Sequence, residues 1–201
     1  MIQAVIFDIG GVLIRTQDPR PRQQWEERRG LPPGTAEYVV FNSEGGLQTQ
    51  RGLFTEAENW LRVQRDLNLS DADLAELRQA FWAGDRLDEG LIAYIRRLHG
   101  RYQTAIISNA MPGLMTLLTG KYPIADAFDV IVGSGDVKIA KPDPAIYHLT
   151  LEKLGRRPHE AIFVDDSPTN IEGARAVGLH TIHYTRGLDV PAALAAHGVA
   201  L

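Results

Sequence analysis

Val5-Ile6-Phe7-Asp8-Ile9-Gly10-Gly11-Val12-Leu13 is the stretch on which the reading of this chain turns. A short, apolar and partly β-branched run, Ala4 to Phe7, ends abruptly in one carboxylate, and two glycines follow. Such a run suits a strand buried on both faces of a sheet. In open α/β sheets ligands bind in the crevice at the carboxyl ends of the strands. Asp8 therefore stands where a reacting group would stand, and the glycines let the backbone turn sharply and come close to a ligand. Taken alone, the stretch fits a reactive carboxylate and a merely solvated Asp before a glycine turn equally well.

Outward from it, the C-terminal part of the chain alternates β and α. Leu91, Ile92, Ile95 and Leu98 form one helix face, closed by Gly100. Thr104-Ala105-Ile106-Ile107 reads as a second buried strand, followed by Ser108-Asn109 and a helix over Met111 to Leu118. Phe128 to Val132 is a third strand. Asp143-Pro144 reads as cap plus first-turn proline of a helix that Gly155 closes. Ala161-Ile162-Phe163-Val164 is a fourth strand, ending in Asp165-Asp166. Ser167-Pro168 opens the next helix, and Thr181-Ile182-His183-Tyr184 is a last strand. This alternation predicts an α/β fold with a parallel sheet and helices on both faces.

Between the first strand and this pattern the character changes. Arg15 to Gly30 is polar and arginine-rich, Leu31-Pro32-Pro33-Gly34 is a break, and Asn42 to Gly46 reads as a loop. Thr55 and Glu58 have the spacing of a capping box, and Ser70-Asp71-Ala72-Asp73 starts a further helix through Leu74, Leu77 and Phe81. The three tryptophans of the chain, Trp25, Trp60 and Trp82, all fall here and are expected to pack this unit. The predicted architecture is a core of residues 1–14 and 87–201 with an all-helical insertion over 15–86.

Composition narrows the function classes. With 44% hydrophobic and 23% charged residues the 201-residue chain can bury a core. A net charge of -4, spread along the chain, gives no electrostatic case for nucleic acid or an anionic membrane. The absence of cysteine excludes disulfides, thiolate metal sites and a cysteine nucleophile. No apolar run is long enough to span a bilayer, and no leader pattern opens the chain, so a cytoplasmic location is expected by default.

Three of the strands end in polar groups: Asp8, Ser108-Asn109 and Asp165-Asp166. In a parallel sheet these ends share one edge. Acidic positions gathered beside Asp8 repel one another unless a divalent cation lies between them, and hard oxygen ligands suit Mg²⁺. Lys141, in the loop Lys138 to Pro144, adds a fixed positive charge. Cation, lysine, serine hydroxyl and a helix start at Ser167 all favour a phosphate dianion. A carboxylate nucleophile then has phosphorus to attack, forming an aspartyl-phosphate.

Four motifs in order, Phe7-Asp8-Ile9-Gly10-Gly11-Val12-Leu13, Ile106-Ile107-Ser108-Asn109, Lys141-Pro142-Asp143-Pro144 and Val164-Asp165-Asp166-Ser167-Pro168-Thr169-Asn170, resemble the signature set of the haloacid dehalogenase-like (HAD) hydrolase superfamily. The resemblance spans nearly the whole chain. It implies a Rossmannoid core and makes the insertion a helical cap of the kind that follows a DxGGV first motif. It implies that Asp8 is the nucleophile and that Ser108 and Lys141 orient and neutralise the phosphoryl group. Asn109 and Gly11 join these two in the implied substrate-binding set. The implied Mg²⁺ ligands are Asp8, the Gly10 carbonyl, Asp166 and, after it, Asp165. The expected partner is a small phosphorylated metabolite, handled by a monomer or homodimer.

One departure stands out. Phosphatases of this superfamily usually carry a second Asp two residues after the nucleophile, as general acid and base. This chain has Gly10 there. Water or a cap residue has to supply the proton, or the leaving group has to be good, or turnover is feeble. The gap keeps two alternatives open: a 2-haloacid dehalogenase-type hydrolase, whose halide leaves without a proton, and a HAD-fold binding or regulatory module. Asp165-Asp166 weighs against the dehalogenase, since extra negative charge repels a haloacid carboxylate whereas a magnesium site needs it. Of the six histidines only His183, at a strand end, falls near the expected site rim; Asn170 is expected behind the metal ligands, and Arg15, Thr16 and Gln17 either touch substrate or form a solvated linker.

Overall fold

The computed structural model describes residues 1–201. Seven strands occur along the chain: β1 Ala4–Phe7, β2 Ile14–Thr16, β3 Asp85–Leu87, β4 Gln103–Ser108, β5 Val130–Gly133, β6 Ala161–Asp165 and β7 His180–His183. Five of them form one parallel sheet in the order β5-β4-β1-β6-β7. The opening stretch thus supplies the central strand, and the chain leaves it toward β4 on one side and β6 on the other. That reversal of strand order places a crevice at the carboxyl end of β1.

Alternation along the strands builds two cores. Val5, Phe7, Ile106, Ile162 and Val164 face a layer that includes helices Glu89–Leu98 and Val190–Ala196. Ala4, Ile6, Ala105, Ile107 and Phe163 face helices Pro144–Leu154 and Pro168–Ala176. Burying each large apolar side chain contributes about 1.5–3 kcal/mol. With both faces covered, the strands read as continuous apolar runs, and only their ends are free to carry polar groups.

The segment between β2 and β3 holds helices Arg20–Arg28, Glu44–Gln50, Glu56–Asp66 and Asp71–Ala83. It has its own small core, in which Trp25 and Trp60 pack with Val40, Val63, Leu77 and Phe81. Both expected capping boxes are present, Thr55 with Glu58 and Ser70 with Asp73. Two expectations need correcting. The segment is not helical to its ends: β2 and β3 pair antiparallel, Ile14 with Leu87 and Thr16 with Asp85, and tie its two ends together at the core. Residues 44–46 are not a loop but the first turn of a helix that Ser43 caps through Gly46 N–H. The glycines there serve close packing: a Cβ on Gly46 would lie 2.6 Å from the Val40 carbonyl oxygen. A second junction lies away from the β2–β3 ribbon, where buried Ser134 donates to the Gln50 carbonyl at 2.6 Å. No helix is long and apolar enough to cross a membrane.

Candidate active site

The carboxyl ends of β1, β4 and β6 bring the expected groups together. Asp8 follows β1, its backbone N–H still donating to Val164 O at 2.9 Å as the sheet ladder runs out. The residue is 7% exposed. Oδ1 accepts the Ile9 N–H at 2.7 Å and faces the Lys141 ammonium at 2.8 Å. These contacts fall on one oxygen and turn Oδ2 away from them. Burial pushes the Asp8 carboxyl up from 3.8 to about 7, with Lys141 pulling it down and Asp165 adding repulsion.

Lys141 is 4% exposed and reaches three acceptors, which saturates its ammonium: Asp8, Asp165 Oδ2 at 2.7 Å and Ile107 O at 3.1 Å. Burial alone would lower its pKa, and the two carboxylates outweigh that and raise it. Asp165 is fully buried and fully used. Beyond Lys141 it takes the Ser167 N–H at 2.8 Å on Oδ1 and the Asn170 amide at 3.1 Å on both oxygens. Asn170 therefore stands behind the site, as expected. Asn109 lines the cleft, but both ends of its amide close on the Lys141 backbone: Oδ1 accepts Lys141 N–H at 2.8 Å, and Nδ2 donates to Lys141 O at 2.9 Å. The structure thus gives Asn109 a holding contact on the lysine loop, which its position after Ser108 did not reveal.

Asp166 differs from Asp165. Its residue is exposed, its carboxylate meets no donor from another residue, and burial together with the Asp165 charge raises its pKa. One carboxylate oxygen each from Asp8, Asp165 and Asp166 lie within 4.8 Å of one another. Gly11 makes this possible. It has φ +74°, and a Cβ there would sit 2.0 Å from Asp166 Oδ2, so a side chain at this position would evict the carboxylate. The Gly10 carbonyl is left out of the turn's hydrogen bonds, in which Val12, Leu13 and Ile14 N–H all go to Ile9 O. Ser108, 5% exposed, stands at the end of β4 and reaches the cleft wall. His183 contacts the Asp166 carbonyl through Nε2 at 3.0 Å, at the rim where its strand ends.

Above these residues a cleft of about 1610 Å³ runs between the core and the helical segment. Gly10, Gly11, Ser108 and Asp166 form part of its floor. Arg15, Thr16 and Gln17 line it too, which places all three at the junction rather than in a detached linker. Sequence reasoning missed most of the opposite wall: Phe41, Arg78, Lys121 and Arg186 line it, as does Trp82, which also packs against the helical segment's core. None of them stands in a motif, and only the tertiary fold turns them to the same space.

Comparison with known proteins follows from this geometry. A family model for haloacid dehalogenase-like hydrolases matches residues 2–178. The D-ribitol-5-phosphate phosphatase of Bacteroides thetaiotaomicron is 26% identical over 198 residues, 94% of this chain and 95% of that protein. The phosphoglycolate phosphatase of Yersinia pseudotuberculosis is 34% identical over 152 residues, 62% of this chain and 65% of the relative. Acyl-CoA dehydrogenase family member 10 of Mus musculus is 30% identical over 92% of this chain, which spans only 18% of that protein. Among solved structures, a HAD-family enzyme from B. thetaiotaomicron in complex with magnesium and inorganic phosphate has a TM-score of 0.80 at 23% identity, over 96% of this chain and 99% of the other. The L-2-haloacid dehalogenase of Xanthobacter autotrophicus has a TM-score of 0.66 at 24% identity, over 100% and 85%. At these identities the structures share the fold, and that fold serves both kinds of hydrolase. The family model covers four of the five sheet strands, the inserted segment and every strand-end carboxylate, and the chain belongs to the haloacid dehalogenase-like hydrolases.

Proposed function

We propose that the chain is a Mg²⁺-dependent phosphohydrolase that transfers the phosphoryl group of a small phosphorylated metabolite to Asp8 and then to water. The single observation that carries this reading is the buried ammonium of Lys141 between Asp8 and Asp165, with the open carboxylate of Asp166 beside them under the cleft. The phosphatase relatives from Bacteroides and Yersinia support it.

The donor set fits magnesium: all hard oxygens, with Asp166 open and Asp8 facing it. Asp165, saturated by Lys141, Ser167 and Asn170, serves to hold the lysine, and the direct ligands are Asp8, Asp166 and the Gly10 carbonyl. When bound, the cation neutralises phosphate charge and keeps Asp8 ionised. The chain's own residues do the rest. Asp8 Oδ2 attacks phosphorus, the Ser108 hydroxyl holds a phosphoryl oxygen, the Lys141 ammonium offsets charge from its place against Asp8, and water then cleaves the acyl phosphate. Residues 15–86 act as a cap over the cleft and exclude bulk water during the transfer. Substrate selection belongs to the cap side of the cleft, and the protein acts alone or as a homodimer, without nucleic acid or membrane.

A dehalogenase shares the fold, but Asp166 adds negative charge where a haloacid carboxylate would have to bind. The test is hydrolysis of an aryl phosphate with and without Mg²⁺, comparing the native chain with Asp8→Asn. The expected outcome is Mg²⁺-dependent turnover that falls on the order of 10³-fold or more in the variant. Equal activity in both proteins removes Asp8 as nucleophile. Halide release from 2-haloacids in chelator establishes the dehalogenase instead.

A further inference from the structure

We propose that this site is selective for phosphoryl donors whose leaving group departs as an anion without taking up a proton: phosphoanhydrides, acyl phosphates and anomeric or aryl phosphates, rather than esters of simple alcohols. The inference rests on the phosphohydrolase reading above.

The gap at Gly10 is real space and is not filled by a neighbour. A Cβ built on Gly10 meets nothing within 4 Å. A proton donor from the cleft wall would have to be a free acid, and each wall carboxylate is already an acceptor. Glu37 takes Arg22 at 2.8 Å, Asp88 takes Arg15 at 2.5 Å, Asp85 takes the Thr16 hydroxyl at 2.6 Å, and Glu56 takes the Trp60 indole N–H at 3.1 Å. Tyr184 and Tyr122 pack their rings against the core, and His183 is engaged with the Asp166 carbonyl.

The same wall is supplied with cations. Arg78, Lys121 and Arg186 line the cleft, and none has a carboxylate within ion-pair distance. Guanidinium and ammonium groups stabilise a departing anion by charge and hydrogen bonding. In the first step an Asp8 oxygen forms a bond to phosphorus, the bond to the leaving oxygen breaks, and that oxygen leaves with the electron pair. In the second step water attacks phosphorus, the bond to Asp8 breaks, and the released proton goes to solvent. With no base at position 10, the second step becomes the slower one for the best donors.

The experiment measures kcat/KM, which reports the first step, with Mg²⁺ on acetyl phosphate, nitrophenyl and phenyl phosphate, a hexose 1-phosphate, its 6-phosphate isomer and glycerol phosphate. The ranking of acetyl, aryl and 1-phosphates distinguishes the donor classes. The expected result is a steep fall with leaving-group basicity, about 10²–10⁴-fold between nitrophenyl phosphate and the alkyl esters. Gly10→Asp is expected to flatten that slope by raising alkyl-ester turnover about 10²-fold. Should that variant misfold, the slope of the native chain decides alone. Comparable kcat/KM for alkyl and aryl esters overturns the proposal and leaves the phosphohydrolase reading intact. A folded Gly10→Asp chain with an unchanged slope also overturns it. If Asp8→Asn matches the native chain on every donor, the phosphohydrolase reading fails, and this inference with it.

Discussion

The strand-end site and the cleft wall above it are built on opposite plans. At the strand ends, charge is buried and saturated: Lys141 has three acceptors, Asp165 has four contacts, and both are almost fully enclosed. On the wall, charge is exposed: Arg78 over Trp60 and Lys121 over Trp82 and Tyr122 have cation–π contacts and no ion-pair partner. The first plan fixes geometry before a substrate arrives, which the proposed phosphoryl transfer calls for. The second leaves side chains free to adapt. The difference separates a fixed strand-end floor from an adaptable cleft wall, drawn from both the core and the helical segment, and each can be attacked separately.

The largest effect is expected from breaking the buried triad. Lys141→Met leaves Asp8 and Asp165 buried without their cation, a loss of about 3–5 kcal/mol, seen as a lower midpoint in urea together with lost turnover. A stable Lys141→Met protein would show that the triad does not fix the strand-end floor. Gly11→Ala comes next. Its Cβ displaces Asp166, and Mg²⁺ affinity by calorimetry is expected to fall about 10–100-fold. Thr55→Ala removes a cap in the helical segment and is expected to cost about 1 kcal/mol with kcat unchanged. A fall in kcat there would show that the strand-end floor depends on the stability of the helical segment.

The sign of the pH dependence sharpens the same contrast. In chelator the folded Asp8 carboxyl binds its proton up to about 7, whereas its ordinary value is 3.8. Between those values the folded state holds more protons than the unfolded one, so Asp8 makes stability fall as pH rises through that window. Asp8→Asn removes that slope. The metal-free variant is expected to gain stability relative to the native chain on going from pH 4 to pH 8, read from urea midpoints. No such change would place the carboxylate in a less desolvated setting than its burial indicates.

The core was legible in the sequence because burial on both faces writes its strands as uninterrupted apolar runs, so that a carboxylate such as Asp8 or Asp165 stands out at the end. The capping boxes at Thr55 and Ser70 were legible for a similar reason: they are local. The β2–β3 ribbon was not, because Ile14–Thr16 and Asp85–Leu87 are short, far apart in sequence and have no alternation until paired. Gly45 and Gly46 misled because a glycine chosen for close packing against Arg62 and Val40 looks the same as one chosen for a turn. The wall residues Arg78, Lys121 and Arg186 were invisible as a group, since only the fold brings them together. Asn109 was visible, but its contact with the Lys141 backbone was not.

The most direct measurement is rapid-quench mass spectrometry of the chain after mixing with acetyl phosphate and Mg²⁺. The expected result is one phosphoryl group on the peptide that contains Asp8, appearing before inorganic phosphate and absent from Asp8→Asn. Phosphate release by the native chain with no adduct on Asp8 at any time would contradict a carboxylate nucleophile at the end of the central strand.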